Sequence, residues 1–314
     1  MVITALHHWR NGDPDTGRYL KVGYLPITCH ILCPVTHHRL ELIGSKSFLP
    51  VKFSSWPEMI EALRGGEIDM AFILAPIAIA LKQQGLRIAI LLLGHRDGTA
   101  LVVKKSLNIN SLRDLVGGTM AIPIRFSCQN LVLLRLLDQL GIDKHEIKIL
   151  ELAPPDMPSA LAAGGIDGYI VGEPYAAQAE LAGTGKVLFQ MKDVHPNFIS
   201  SVLIVRKEIL KKRQKEVFDL TRAFYRESFW VETHRKQAAS IAAQYYGLPA
   251  SLMQYVLTCP KDRVSYKNLL PDPREFDQIA GLLVKYGLLP RVPKGAELVY
   301  TGWLPEKERQ GDAE

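Results

Sequence analysis

The sequence predicts a two-lobed α/β protein with a helical C-terminal extension, and three observations carry that expectation. The first is an internal repeat: residues 155–175, PDMPSALAAGGIDGYIVGEPY, echo residues 57–77, PEMIEALRGGEIDMAFILAPI, at an offset of about 98 residues. Solenoid repeats have periods of roughly 20–50 residues, so an offset this long marks two similar lobes. The second is the alternation of short apolar runs with helical patterns, which suits parallel sheets covered by helices. The third is the chain from Lys207 onward, where the apolar spacing is helical throughout.

In the first lobe, residues 19–25 (YLKVGYL) are the opening strand, followed by a loop at Pro26, Ile27 and Thr28 and a weakly helical stretch to Ile43. Residues 50–53 form the second strand. Ser54, Ser55, Trp56 and Pro57 then supply an N-cap and a proline for the first helical turn. Met59, Ala62 and Leu63 share one helix face, and the following glycine suits a left-handed C-cap. Residues 70–74 are apolar throughout, as expected of a strand buried on both faces. After a strand at 87–93, the Gly-flanked link 94–98 reads as a hinge, and residues 100–104 open the second lobe.

There, residues 111–115 make a short helix, 119–124 a strand equivalent to the first, and 125–130 a loop entering an amphipathic helix to Leu140. Strands at 147–150 and 168–171 complete the repeat. Residues 198–205 resemble the strand at 100–104 and are expected beside it. Helices at 217–230, 234–246, 251–257 and 275–286 are expected to pack on the first lobe, with a frayed end at 307–314. The division is therefore 19–98 for the first part of lobe 1, 99–205 for lobe 2, and 206–314 for the return to lobe 1. In open α/β sheets ligands bind at the carboxyl ends of strands, which places a site at Ala75 and Pro76 and at Gly172, Glu173 and Pro174.

Composition narrows the functional classes. The 314 residues are 47% apolar with no run long enough to cross a bilayer. The net charge of +6 is modest and scattered, which argues against nucleic acid as a partner. Four cysteines do not make a disulfide framework. Residues 1–18 contain no apolar core and no cleavage site, so a signal peptide is not expected in them. A protein whose leader was removed would be periplasmic or extracytoplasmic; otherwise it would be cytoplasmic.

The segment APPDMPSALAAGGIDGYIVGEPYAAQAE, the strand KVGYLPIT, the segment EALRGGEIDMAFILAP and the DL-GG pair before the lobe-two strand resemble the nitrate-, bicarbonate- and sulfonate-binding proteins of ABC importers. These are type II periplasmic binding proteins. The resemblance covers most of residues 19–290. It implies a receptor that closes two lobes on a small, nitrate-, sulfonate- or bicarbonate-like anion, with an ABC permease and ATPase as partners. By position it implies Thr28, Ser55, Trp56, Pro76, Ser127, Gln129 and Glu173 as ligand-lining residues, and no catalytic residue.

Each of these residues also has a plainer reading. Ser55 and Ser127 stand at helix starts, where N–H groups favour an anion but where a serine is also an ordinary cap. A buried Glu173 needs a partner, either a ligand or an arginine such as Arg125 or Arg96. Cys29, His30 and Cys128 carry thiol and imidazole atoms that suit zinc or copper, although cysteine is equally a small core residue. The same fold also hosts cytosolic enzymes of the thiamine-pyrimidine and menaquinone pathways, and a cytosolic ligand sensor is a third class. No Ser-His-Asp order or phosphate loop identifies chemistry here.

Overall fold

In the computed structural model of the chain, the residues described are 19–305 apart from 46, 261, 292 and 293. The N-terminal arm and the end expected to fray lie outside them. The strands, in chain order, are β1 Leu20–Tyr24, β2 Phe48–Lys52, β3 Met70–Leu74, β4 Ile88–Leu93, β5 Arg96–Asp97, β6 Thr99–Lys104, β7 Thr119–Ile122, β8 Lys148–Glu151, β9 Gly168–Gly172, β10 Gly185–Gln190, β11 Ser201–Arg206 and β12 Val264–Ser265.

Two five-stranded sheets result. One runs β2-β1-β3-β11-β4, and the other, taken in the corresponding direction, β8-β7-β9-β6-β10. The internal repeat is visible in their registers, since Val22 pairs with Met70 and Met120 with Gly168. It also explains the Ile-Asp pair common to both copies. The Asp69 carboxylate accepts from the Lys21 N–H at 2.9 Å, and the Asp167 carboxylate accepts from the Thr119 N–H at 2.8 Å. One aspartate thus anchors the start of the central parallel pair in each lobe. The helices before these aspartates, Trp56–Gly65 and Met157–Ala163, end in left-handed glycines, Gly66 (φ 78) and Gly164 (φ 81). A residue with a Cβ would be strained at either cap.

The strand expected beside β6 lies elsewhere. β11 pairs antiparallel with β3 and β4 in the first sheet, whereas β6 is flanked by β9 and β10 in the second. The likeness between β6 and β11 is one of role. Each enters a sheet just after the chain crosses between lobes and fills an antiparallel slot buried on both faces. The return crossing therefore falls before Ser201, not after Val205.

The two crossings run side by side. Gly94 N–H donates to Ser201 O at 2.8 Å, and Asp97 N–H donates to Phe198 O at 2.9 Å. A Cβ on Gly94 would lie 2.1 Å from Cys29 O, so no larger residue fits where the crossing meets the β1 loop. Arg96 secures this crossing with a 2.7 Å ion pair to Glu275 and a 2.8 Å bond to Asn268 O.

The C-terminal helices cover the first lobe. Gln214–Thr233 packs on Leu32–Leu42, and Phe224 meets Phe48 and Phe72 edge-on at ring distances of 5.4 and 5.3 Å. Aromatic edges against faces are favourable beyond the area they bury. The helix Pro273–Lys285 lies against both Ala75–Gln83 of the first lobe and Cys128–Gln139 of the second. Its Lys285 reaches Asp138 at 2.6 Å.

Candidate functional site

The loop after β1 meets the tip of β9 directly. Thr28 donates its backbone N–H to Glu173 O at 2.8 Å and its hydroxyl to the same oxygen at 3.1 Å. The loop is held from behind by Tyr266, whose hydroxyl donates to Thr28 O, and by Tyr246, whose hydroxyl donates to Ile27 O. His95 Nε2 lies 3.1 Å from the Thr28 hydroxyl oxygen. With the hydroxyl proton assigned to Glu173 O, His95 donates from Nε2 and Nδ1 is left as an acceptor. His30 is fixed the other way: its Nδ1 accepts from the Leu25 N–H at 2.8 Å, so Nε2 carries the proton. Trp56 stands edge-on to His30 at a ring distance of 5.5 Å. From the second lobe, Gln129 donates its amide N–H groups to Thr99 and Ser200, both at 3.2 Å.

Each of these four side chains keeps one buried polar atom without a protein partner: His30 Nε2, Trp56 Nε1, His95 Nδ1 and Gln129 Oε1. Two are donors and two are acceptors. Burial costs such atoms free energy, and most buried polar groups in folded proteins are paired. Burial also keeps both imidazoles neutral. His95 is lowered to about 3 by desolvation. His30 is held well below the ordinary histidine value by desolvation and then by the nearby His95.

Glu173 is completely buried and fully engaged. Arg263 Nη1 reaches one carboxylate oxygen at 2.7 Å, and Ala177 N–H donates to the other at 2.9 Å. Arg263 also binds Glu180 at 3.0 Å and lies over the Tyr255 ring. Burial pushes Glu173 up, against the pull of Arg263 and of the Ala177 N–H. Burial works against the charge on Arg263 as well, but Glu173 and Glu180 hold its value above the usual one. The expected partners are otherwise occupied: Arg125 pairs with Glu151, and Arg96 with Glu275. This pair joins the second lobe to the C-terminal part of the first.

The remaining expected residues divide. Ser55 is half-buried and caps its helix at Glu58 N, and the buried Ser127 caps the next lobe's helix at Asn130 N, 3.1 Å away. Pro76 is buried at the start of Ala75–Gln83. Trp56, expected to line a ligand, has 2% exposure and is part of the core. The expectation that Cys29, His30 and Cys128 could hold a metal finds no such grouping: among the described residues no three His, Cys, Asp or Glu side chains are placed to share an ion. Burial explains the thiols' condition. It pushes Cys29 up to about 12 despite hydrogen bonds from Ser201 and Ser200, and it raises Cys128 as well, so both stay protonated.

Sequence reasoning missed His95, Thr99, Ser200 and Arg263. His95 had a signal, being a titratable residue inside the Gly-flanked link. Arg263 had none, because only the return of the C-terminal segment brings it to β9.

Two α/β lobes of matching strand order, crossed twice and closed on loops at their strand tips, define a periplasmic-binding-protein fold. The chain belongs to the NMT1-like family, whose model matches residues 13–247. It is 26% identical over 237 residues to an Escherichia coli (strain K12) protein assigned as binding aliphatic sulfonates, covering 74% of this chain and 73% of that one. It is 34% identical over 173 residues to the taurine-binding periplasmic protein of the same organism. That match covers 53% of this chain and 52% of the relative, so the chain spans about half its length. The structure of the ligand-binding component of an ABC-type import system from Staphylococcus aureus, with zinc bound, superposes with a TM-score of 0.83. The two are 28% identical, with 91% of this chain and 97% of that one covered.

Proposed function

We propose that the chain is the solute receptor of an ABC importer, and that it closes its lobes on a small oxyacid that also carries a proton donor. The observation that supports this reading is the set of four unpartnered polar atoms at the junction of the lobes. His30 and Trp56 present N–H groups suited to oxygens of a sulfonate or carboxylate. His95 Nδ1 and Gln129 Oε1 need a donor, which the ammonium group of an aminosulfonate or the O–H of bicarbonate supplies. Nitrate has none. Because all four groups are buried, a solute reaches them only when the lobes part, as in hinge-bending receptors. An importer's permease and ATPase would receive the loaded form, outside the cytoplasm, as the periplasmic relatives suggest.

Calorimetry with taurine, methanesulfonate, bicarbonate, nitrate and zinc chloride tests the reading. Taurine or bicarbonate should bind and nitrate should bind more weakly. Trp56→Phe should weaken the preferred solute by about 1 kcal/mol, the worth of one hydrogen bond. The absence of binding by all five, or nitrate binding as tightly as taurine, overturns it.

A further inference from the structure

A separate opening lies between the lobes beside the junction residues Gln129 and Ser200, on their Cys128 and Ile199 side. It is a cavity of about 480 Å³ between Cys128–Gln139 of the second lobe, the returning segment 195–199, and Pro273–Lys285 of the first lobe. His30, Trp56 and His95 take no part in it. The volume lies within the range of sites for small organic ligands, roughly 300–1,000 Å³.

Its chemistry is uneven in a useful way. Leu131, Val132, Phe198, Ile199, Ile279 and Leu282 provide an apolar wall. Three other lining residues carry formal charge, and two of them are neutralised: Glu275 by Arg96 at 2.7 Å and Lys285 by Asp138 at 2.6 Å. Arg135 has no ion-pair partner among the described residues. Its Nη2 lies 3.2 Å from His195 Nδ1, and its buried Nε has no partner at all. His195 cannot offset that charge, because an imidazole ring is either neutral or positive, and burial followed by the Arg135 charge lowers its pKa. An apolar wall with one uncompensated, half-buried guanidinium suits an anion on an apolar body, since desolvated charges are paired in stable structures.

We propose that this cavity is a second ligand site, for an amphiphilic organic anion such as an aryl or alkyl carboxylate or sulfonate, held by Arg135 against the apolar wall. The walls belong to different lobes, so a ligand spanning them favours the spacing seen here. By reciprocity it tightens binding of any solute that closes the lobes, and that solute tightens its binding in turn. The site stands whether or not the junction binds an oxyacid, because it rests on different residues.

Gly281 makes a clean test possible. It lines the cavity within a helix, and a Cβ added there meets no atom within 4 Å. Gly281→Leu therefore starts its side chain in open space at the cavity wall and occludes the cavity, and replacing a helical glycine supports the helix. Anilinonaphthalene sulfonate, an aryl sulfonate whose fluorescence rises in apolar surroundings, is the probe, titrated into wild type, Gly281→Leu and Arg135→Met. The expected result is saturable binding to wild type and at least about a tenfold loss in Gly281→Leu. Arg135→Met should show about a tenfold loss, as expected for one charge-assisted hydrogen bond. No saturable binding to wild type, or equal affinity in Gly281→Leu, overturns the site. Loss in Gly281→Leu with unchanged affinity in Arg135→Met overturns the assignment to an anion. Taurine calorimetry on Gly281→Leu separates the two sites, because a failure of the oxyacid reading appears there and leaves the dye titration unaffected.

Discussion

Replacing Arg263 with methionine strands the Glu173 carboxylate in a fully buried position with one remaining donor, Ala177 N–H. Removing one partner of a buried pair costs about 3–5 kcal/mol. Protonation sets a ceiling on that cost. Bringing a carboxyl of ordinary pKa to its neutral form at pH 7 requires about 3.7 kcal/mol, and each pH unit downward lowers this by about 1.4 kcal/mol. In the variant the folded-state pKa of Glu173 rises further above its unfolded value, so the penalty is absent below the unfolded value and grows as pH rises through the folded one. The variant should thus be about 3 kcal/mol less stable than wild type at pH 7 and about 1 kcal/mol less stable at pH 5. Glu173→Gln added to Arg263→Met should restore most of the loss, since an amide oxygen still accepts from Ala177. Urea unfolding at both pH values measures the difference, and small-angle scattering detects any relief by opening of the lobes. A loss below about 1 kcal/mol at pH 7 with unchanged urea slope and radius of gyration refutes the argument, because a stranded buried charge must exact its cost somewhere.

The neutral imidazoles give a second pH signature. His95, lowered to about 3 by desolvation, is unprotonated in the folded chain across a range where the unfolded chain takes up a proton. Its stabilising contribution is full above about pH 6.5 and falls by about 1.4 kcal/mol per unit as pH drops toward 3. Urea unfolding of His95→Asn between pH 7 and 5 should show a slope shallower by about one proton, and an identical slope counts against a buried neutral His95. Thiol labelling at pH 8 checks the cysteines: the exposed Cys259 should react in the folded protein, and the buried Cys29, Cys33 and Cys128 only after unfolding. Rapid modification of Cys29 or Cys128 in the native state contradicts the burial that keeps them protonated.

The sequence by itself determined what is local and periodic. The repeated Ile-Asp and glycine caps, the apolar runs of β3 and β9, and the serine caps at Ser55 and Ser127 are legible because helix and strand periods and cap chemistry act over a few residues. Their recurrence at one offset made two lobes evident before any contact was known. What only the tertiary structure decided concerns choices between equivalent partners. β11 suits either sheet by its own sequence, and the slot between β3 and β4 claimed it because β10 already flanks β6. Glu173 needed a cation, and nothing near it in sequence distinguished Arg263 from Arg96 or Arg125. Trp56 was expected to line a ligand, yet packing against His30 and the core leaves it only 2% exposed. Long-range pairing depends on which surfaces meet when the lobes close, and a one-dimensional pattern carries no measure of that.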